Sequence, residues 1–204
     1  GLVDAAVAYA LVRERRPGLV VEVGGGFSSR VLRTALDAGG GGGRLVTIDP
    51  EPRADLTGVV SEHRKERVED VPLAFFEELP PDSVLFIDSS HRAGTGSDVN
   101  FLFLEVLPAL APGVLVHVHD VFLPEDYPFE WNASGPFYTE QYLLHALLLF
   151  SRGFRVVWPG RQMLRERPAL LEAALGPGVN LGLHGSFWLE RKVSAPEAFL
   201  GPEG

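Results

Sequence analysis

The stretch Leu19-Val20-Val21-Glu22-Val23-Gly24-Gly25-Gly26-Phe27-Ser28-Ser29 decides how the chain reads. Leu19–Val23 is a nearly continuous apolar run, which predicts a buried strand. Three glycines stop it. Ser28 and Ser29 then open a helix that continues through Val31, Leu32, Ala35 and Leu36 to about Ala38. A strand that turns through glycine into a helix N-terminus presents bare backbone N–H groups to a small ligand.

Strand and helix alternate on either side of this turn. Residues 2–14 predict an amphipathic helix ended by Pro17-Gly18. Gly39 to Gly43 predict a solvent-exposed loop in which nothing packs. Arg44–Asp49 is the second predicted strand. A short helix is expected over 51–63, an edge strand over Lys65–Val68 and a helical turn over 73–79. Val84–Asp88 is a strand, and Ser97 caps a helix running to about Leu110. Val114–Asp120 follows as a strand, then a loop over 121–136, a helix over about 137–150 and a strand over Phe154–Trp158. Residues 161–175 predict an arginine- and leucine-rich helical element, Ser186–Lys192 the last strand, and the remainder a Pro/Gly tail.

Core strands that are apolar throughout, rather than at alternate positions, indicate a parallel sheet covered on both faces. Ligands of such sheets bind at the carboxyl ends of the strands, near the switch in strand order. Four successive core strands end at Gly24, Asp49, Asp88 and Asp120. If these strands are parallel, three carboxylates and a glycine turn share one rim.

Composition narrows the classes. The chain has 204 residues, 46% hydrophobic and 22% charged, enough for one domain with a sizeable core. No run approaches the roughly 20 apolar residues of a membrane span. Asp4 interrupts the apolar N-terminal segment, no basic segment precedes it and Arg13-Glu14-Arg15-Arg16 follows, so a signal peptide is not expected. The absence of cysteine excludes disulfides, thiolate zinc sites and cysteine nucleophiles, and fits a cytoplasmic protein. A formal net charge of −9 works against nucleic acid and anionic membranes as partners and is compatible with a cationic ligand. A homo-oligomer stays open.

The dinucleotide fingerprint G-x-G-x-x-G finds Gly24 and Gly26 in place, but Ser29 stands at the third glycine. An NAD-dependent oxidoreductase is therefore an alternative rather than the first reading, and no Tyr-x-x-x-Lys pair supports it. A non-catalytic cofactor-binding domain of the same fold is the other alternative.

Val21-Glu22-Val23-Gly24-Gly25-Gly26-Phe27-Ser28-Ser29 resembles the first motif of class I S-adenosylmethionine-dependent methyltransferases. Leu85-Phe86-Ile87-Asp88-Ser89-Ser90-His91, Gly96-Ser97-Asp98-Val99-Asn100, Leu107-Pro108 and Pro112–Pro128, with its His117-Val118-His119-Asp120, resemble a bacterial branch acting on small molecules. Trp131 and Tyr138–Leu144 extend the likeness, which spans about 19–158. The resemblance implies a Rossmann-like, doubly wound α/β fold: a mostly parallel seven-stranded sheet with helices on both faces and an antiparallel last strand. It implies one methyltransferase domain over 1–204, with 159–182 as an appended helical insertion. S-adenosyl-L-methionine is the implied cofactor. Glu22, Gly24, Gly25, Gly26, Ser28, Ser29, Asp49, Asp70 and Asp88 are its implied binding residues, with Asp49 on the ribose hydroxyls, Glu22 balancing the ligand's amino group and Glu69-Asp70-Val71 near the adenine.

Methyl transfer needs positioned partners and, for a hydroxyl acceptor, a place for its proton. His91 is the first candidate base, Asp88 faces the methionine and acceptor side, and His119 at its strand end is a further catalytic candidate. His117 and His119 alternate with valines, so both point to one face of the strand; His117 reads as structural. Related catechol-type enzymes hold magnesium at carboxylates matching Asp88 and Asp120, which makes Mg2+ a candidate. Those enzymes carry an amide directly after the second acid, where this chain has Val121. The aromatic loop with Tyr127, Phe129, Trp131, Phe137 and Tyr138 reads either as a lid over a ring-bearing acceptor or as a plug of the sheet end. Arg161, Arg165 and Arg167 read as a solvated helix face.

Overall fold

The computed structural model describes residues 1–135, 137–182 and 184–192. The expectations for Pro136 and for the tail 193–204 lie outside the described residues. The described chain forms helix α1 (Leu2–Arg15), strand β1 (Leu19–Val23), α2 (Phe27–Ala38), β2 (Arg44–Ile48), β3 (Glu62–Arg64) and α3 (Leu73–Glu77). It continues through β4 (Val84–Ile87), α4 (Asp98–Phe101), α5 (Leu107–Ala109), β5 (Leu115–Val118), α6 (Phe129–Ser134) and α7 (Glu140–Phe150). Strand β6 (Phe154–Pro159), α8 (Gly160–Glu166), α9 (Pro168–Leu175) and β7 (Phe187–Arg191) complete it.

The strands form one seven-stranded sheet in the order β3-β2-β1-β4-β5-β7-β6. β3, β2, β1, β4 and β5 are parallel, and β7 runs antiparallel to both β5 and β6. This is the doubly wound sheet with an antiparallel last strand that the resemblance implies. Strand order reverses between β1 and β4, so a crevice opens at their carboxyl ends.

The continuous apolar strands divide their side chains between two helical layers. Val20, Leu45, Val84, Phe86 and Leu115 pack under Ala8 and Val12 of α1 and Leu32 and Leu36 of α2. Val21, Val23, Ile48, Leu85, Ile87, Val116 and Val118 pack on the other face, against Phe76, Val99, Leu102, Leu107 and Leu144. α1 ends where Arg16 turns left-handed (φ 50°) and returns its N–H to Val12, ahead of Pro17.

Local expectations fail in four places. Residues 51–61 form turns rather than a helix, and the edge strand sits at Glu62–Arg64, upstream of its predicted place, because it pairs with β2. The aromatic loop contains α6, which starts after Pro128. Between α4 and α5 the helix widens into a π-helical stretch, Leu102–Val106. The glycine run does not lie wholly free: a Cβ at Gly43 would meet Leu36 Cδ2 and Pro17 O, each at 2.5 Å. Gly42 has nothing within 4 Å of that position.

Candidate functional site

The parallel strands bring Gly24, Asp49, Asp88 and Asp120 to one rim. The backbone ladder runs on past the strand ends, with Gly24 N donating to Ile48 O (3.1 Å), Asp88 N to Val23 O (2.9 Å) and His119 N to Ile87 O (2.9 Å). A cavity of about 790 Å³ opens over this rim. The glycine turn, Ser28, Asp49, Asp88 and His119 line it, as do Asp4 and Ala8 of α1 and the Arg67–Glu69 turn.

The glycine turn is built by hydrogen bonds to two acids. Asp49 Oδ2 accepts from Gly25 N (2.6 Å), and its Oδ1 accepts from Glu51 N (2.7 Å). Glu22 is fully buried beneath the turn. It accepts from the hydroxyls of Ser28 (2.7 Å), Ser29 (2.6 Å) and Thr47 (2.7 Å), while Ser29 Oγ in turn accepts from Gly26 N (3.1 Å). Burial raises the Glu22 carboxyl to about 7, against the lowering effect of those hydroxyls. The turn itself is tight, since a Cβ at Gly24 (φ 88°) would stand 2.0 Å from Asp88 O.

Three cofactor residues expected from the sequence do not reach the cavity. Glu22 and Ser29 lie beneath the turn and shape it, because the carboxylate of a central strand position points into the layer under α2. Asp70 is exposed at the end of the turn Val68–Asp70, and its neighbour Glu69, paired with Arg67, lines the cavity instead. A three-residue helical turn sets which of two adjacent acids faces inward, and composition cannot.

The loop after β4 is tied down at both ends. Asp98 Oδ2 accepts from Ser90 N (2.7 Å) and its Oδ1 from Ser90 Oγ (2.6 Å). Ser97 Oγ, as expected of an N-cap, accepts from Asn100 N (3.2 Å). His91, with φ 63°, turns its ring inward, where it is buried rather than exposed to the cavity. Its Nε2 lies 3.2 Å from Asp88 Oδ1 and 3.7 Å from Asp120 Oδ2, and its Nδ1 bonds Glu140 Oε1. Burial opposes a charge on this ring, but the bonds to Asp88 and Glu140 outweigh it and push His91 up to about 10. Asp88 is correspondingly held down to about 2, its burial offset by the His91 bond and the nearby His119. With both ring nitrogens turned to acids, His91 does not line the cavity, and His119 is the histidine of the pair that does so beside Asp88.

His117 and His119 share one face of β5. His117 is buried and stacks on Phe86, with ring centroids 3.9 Å apart, and against Trp188 at 4.7 Å. Burial holds it well below the ordinary histidine value. His119 is half-buried on the cavity wall with Nδ1 3.0 Å from Asp120 Oδ1. Burial disfavours its charge, yet Asp120 and Asp88 raise it.

The donor set does not fit a divalent metal. Asp88 and Asp120 are the two acids expected to hold it, and the His91 ring stands within reach of both. Val121, fully buried, offers no third oxygen. Among the described residues no group of three His, Cys, Asp or Glu side chains is arranged to hold a metal ion.

Of the loop aromatics, Tyr127, Trp131 and Tyr138 pack on one another, Phe129 and Phe137 are exposed, and none of the five lines the cavity. Tyr127 is buried against Phe122, Trp131, Tyr138 and Tyr142. Arg161 and Arg165 are not simply solvated: both pair with Glu125, at 2.7 and 3.9 Å, which ties α8 to the loop after β5. Sequence reasoning missed Asp4, whose helix register brings it under the sheet end, and Glu140, legible only as part of the Tyr138–Leu144 similarity.

A family model described as a methyltransferase domain matches residues 21–121. No curated protein matches the chain. Among solved structures, the O-methyltransferase TomG from Streptomyces achromogenes, in complex with SAM, is 20% identical, covering 93% of this chain and 79% of its own, with a TM-score of 0.56. An O-methyltransferase from Bacillus cereus, in complex with SAH, is 16% identical over 93% and 80%, with a TM-score of 0.57. A DUF574 family protein from Streptomyces avermitilis is 15% identical over 94% and 81%, with a TM-score of 0.60. Residues 21–121 thus match a methyltransferase domain, and the described chain shares a Rossmann-like fold with these structures.

Proposed function

We propose that the protein transfers a methyl group from S-adenosyl-L-methionine to a hydroxyl oxygen of a small-molecule acceptor. We propose further that 1–204 is a single domain with 159–182 as a helical insertion. The observation that carries the activity is the continuous cavity from the glycine turn and Asp49 to Asp88 and His119. It lies at the switch point of the sheet, where ligands of this fold class bind.

The first turn of α2 contains no acid, so its positive end is left for a ligand carboxylate. Asp49, already oriented by Gly25 N and Glu51 N, keeps lone pairs for a pair of ribose hydroxyls. Asp88 on the cavity wall suits the ligand's amino group. When bound, S-adenosylmethionine supplies a methyl already activated by its sulfonium charge. His119 is the proposed base. Asp120 beside its Nδ1 leaves Nε2 to take the acceptor's proton. Glu22 and Ser29 act on the cofactor through the shape of the turn.

Calorimetry with S-adenosylhomocysteine tests the reading. Binding is expected, weakened at least about tenfold by Asp49→Ala. The absence of heat and of any thermal shift with either cofactor form would overturn it. Transfer of labelled methyl to a panel of hydroxylated small molecules then identifies the acceptor.

A further inference from the structure

Helix α1 reaches the cavity with its first two turns. Asp4, Ala5 and Ala8 share one side of the helix, and all three stand on the cavity wall. Below them, Ala8 and Val12 pack in the same layer as Phe86 of β4, Leu115 of β5 and Trp188 of β7. The order β2-β1-β4-β5 sets Asp49 at one end of the rim and His119 at the other. α1 therefore flanks the His119 end, away from the carboxylate assigned to the ribose.

Polar groups at this end lack partners. Asp4 is 6% exposed. Its Oδ2 lies 3.1 Å from Gly1 N, and its Oδ1 is buried with no hydrogen-bond partner among the described residues. Ser89 Oγ and His117 Nδ1, which belong to residues on the same wall, are also buried and unpartnered among the described residues. Buried polar atoms are nearly always paired, so unpaired ones gathered around a cavity mark where a ligand's polar groups belong. A carboxylate held out of water needs a positive partner above all. None of the wall residues contributed by α1, α2, β4 and β5 is a lysine or an arginine. The two arginines on the wall, Arg53 and Arg67, come from the segments after β2 and β3, and Arg67 is bonded to Glu69.

The rest of this wall is apolar. Ala5, Ala8 and Phe86 line it, and Phe27, at the start of α2, is 75% exposed there. An open aromatic face beside small side chains suits the apolar body of a ligand.

We propose that the α1 end of the cavity is the acceptor subsite and that Asp4 is its specificity-determining residue, selecting an acceptor that carries a positively charged amine as well as the hydroxyl it presents to His119. This rests on the methyltransferase reading and gives its acceptor a chemical class, the hydroxylated amines. Asp88 serves the amino group of the cofactor, and Asp4 serves that of the acceptor.

The test measures binding, without turnover, on the whole chain saturated with S-adenosylhomocysteine. Two charge-matched sets are titrated by calorimetry: tyramine, ethylphenol and hydroxyphenylacetate, then glucosamine, glucose and glucuronate. In at least one set the amine is expected to bind at least about tenfold more tightly than its neutral partner, with the acid weakest. Asp4→Asn keeps the shape and the contact with Gly1 N. It is expected to remove that preference and to leave S-adenosylhomocysteine affinity within about twofold of the wild type. Ala5→Lys, at a half-buried position on the same wall, places a competing cation there and is expected to weaken amine binding at least about tenfold.

Failure of both amines to bind, equal affinity across the three charges, or a preference that survives Asp4→Asn would each overturn the proposal. So would an Asp4→Asn that weakens S-adenosylhomocysteine, which would assign Asp4 to the cofactor. An acid that only stabilises the first turn of α1 would change Tm in Asp4→Asn and no affinity. If Asp4→Asn fails to fold by circular dichroism, the wild-type selectivity and Ala5→Lys still decide. Failure of S-adenosylhomocysteine to bind the wild type would instead sink the methyltransferase reading, and the same titrations on the unliganded chain would still read the amine preference.

Discussion

Gly24 packs directly on the backbone of Asp88: a Cβ on Gly24 would stand 2.0 Å from Asp88 O and 3.0 Å from its carbonyl carbon. The glycine turn after β1 and the acid after β4 are thus one rigid unit across the switch point of the sheet. Gly24→Ala has no room, and its φ of 88° disfavours any side chain. The substitution is expected to cost at least about 3 kcal/mol and to abolish S-adenosylhomocysteine binding. Chemical denaturation and calorimetry read the two effects.

Glu22 links stability to pH. Its native carboxyl, raised by burial, holds its proton up to about pH 7, whereas the unfolded one releases it near 4.5. Between these values the native state binds more protons, so stability falls as pH rises. The contribution of this one group is about 3 kcal/mol over that window. In Glu22→Gln the fall in Tm between pH 5 and pH 7.5 is expected to be visibly smaller than in the wild type. Identical slopes for the two proteins would refute the assignment.

His119 and Asp120 are expected to separate chemistry from binding. His119→Ala should lower kcat at least about a hundredfold while leaving S-adenosylhomocysteine affinity within a few-fold of the wild type. Asp120→Asn removes the charge beside Nδ1 and should lower kcat less, with the acid limb of the pH–rate profile displaced downward because His119 loses the carboxylate that raises it. Single-turnover kinetics and calorimetry together check this.

Two adjacent glycines should respond in opposite directions. Gly42→Ala meets nothing within 4 Å and reduces the freedom of the unfolded chain, so a gain of about 0.4–1 kcal/mol is expected. Gly43→Ala would press on Leu36 and Pro17 O at 2.5 Å and should destabilise the fold. Tm measurements on the pair are sufficient.

Much of the site could be read from the residues. Apart from Glu22, Thr47 and His117, the segments Leu19–Val23, Leu45–Ile48, Val84–Ile87 and Val114–Val118 are apolar, and only strands covered on both faces need that pattern. Parallel pairing then forces their carboxyl ends, and with them Gly24, Asp49, Asp88 and Asp120, to one rim. That His117 and His119 share one face of β5 was legible from their alternation with valines, and His117 is packed there against Phe86 and Trp188.

Which side of the rim each acid faces is not written locally. Glu22 and Asp49 are both acids near the same glycine turn, yet one lies beneath it and the other on the cavity wall. Likewise Glu69 rather than Asp70 turns inward, set by the short helical turn at Val68–Asp70. The amino-acid sequence by itself determined a parallel sheet covered on both faces and the residues gathered at its edge, because strand and helix periodicity are local properties. Only the tertiary structure decided the state of His91. The acids that surround it come from β4, β5 and α7, and Glu140 is distant in sequence. The charge of a buried imidazole depends on what the folded chain packs around it.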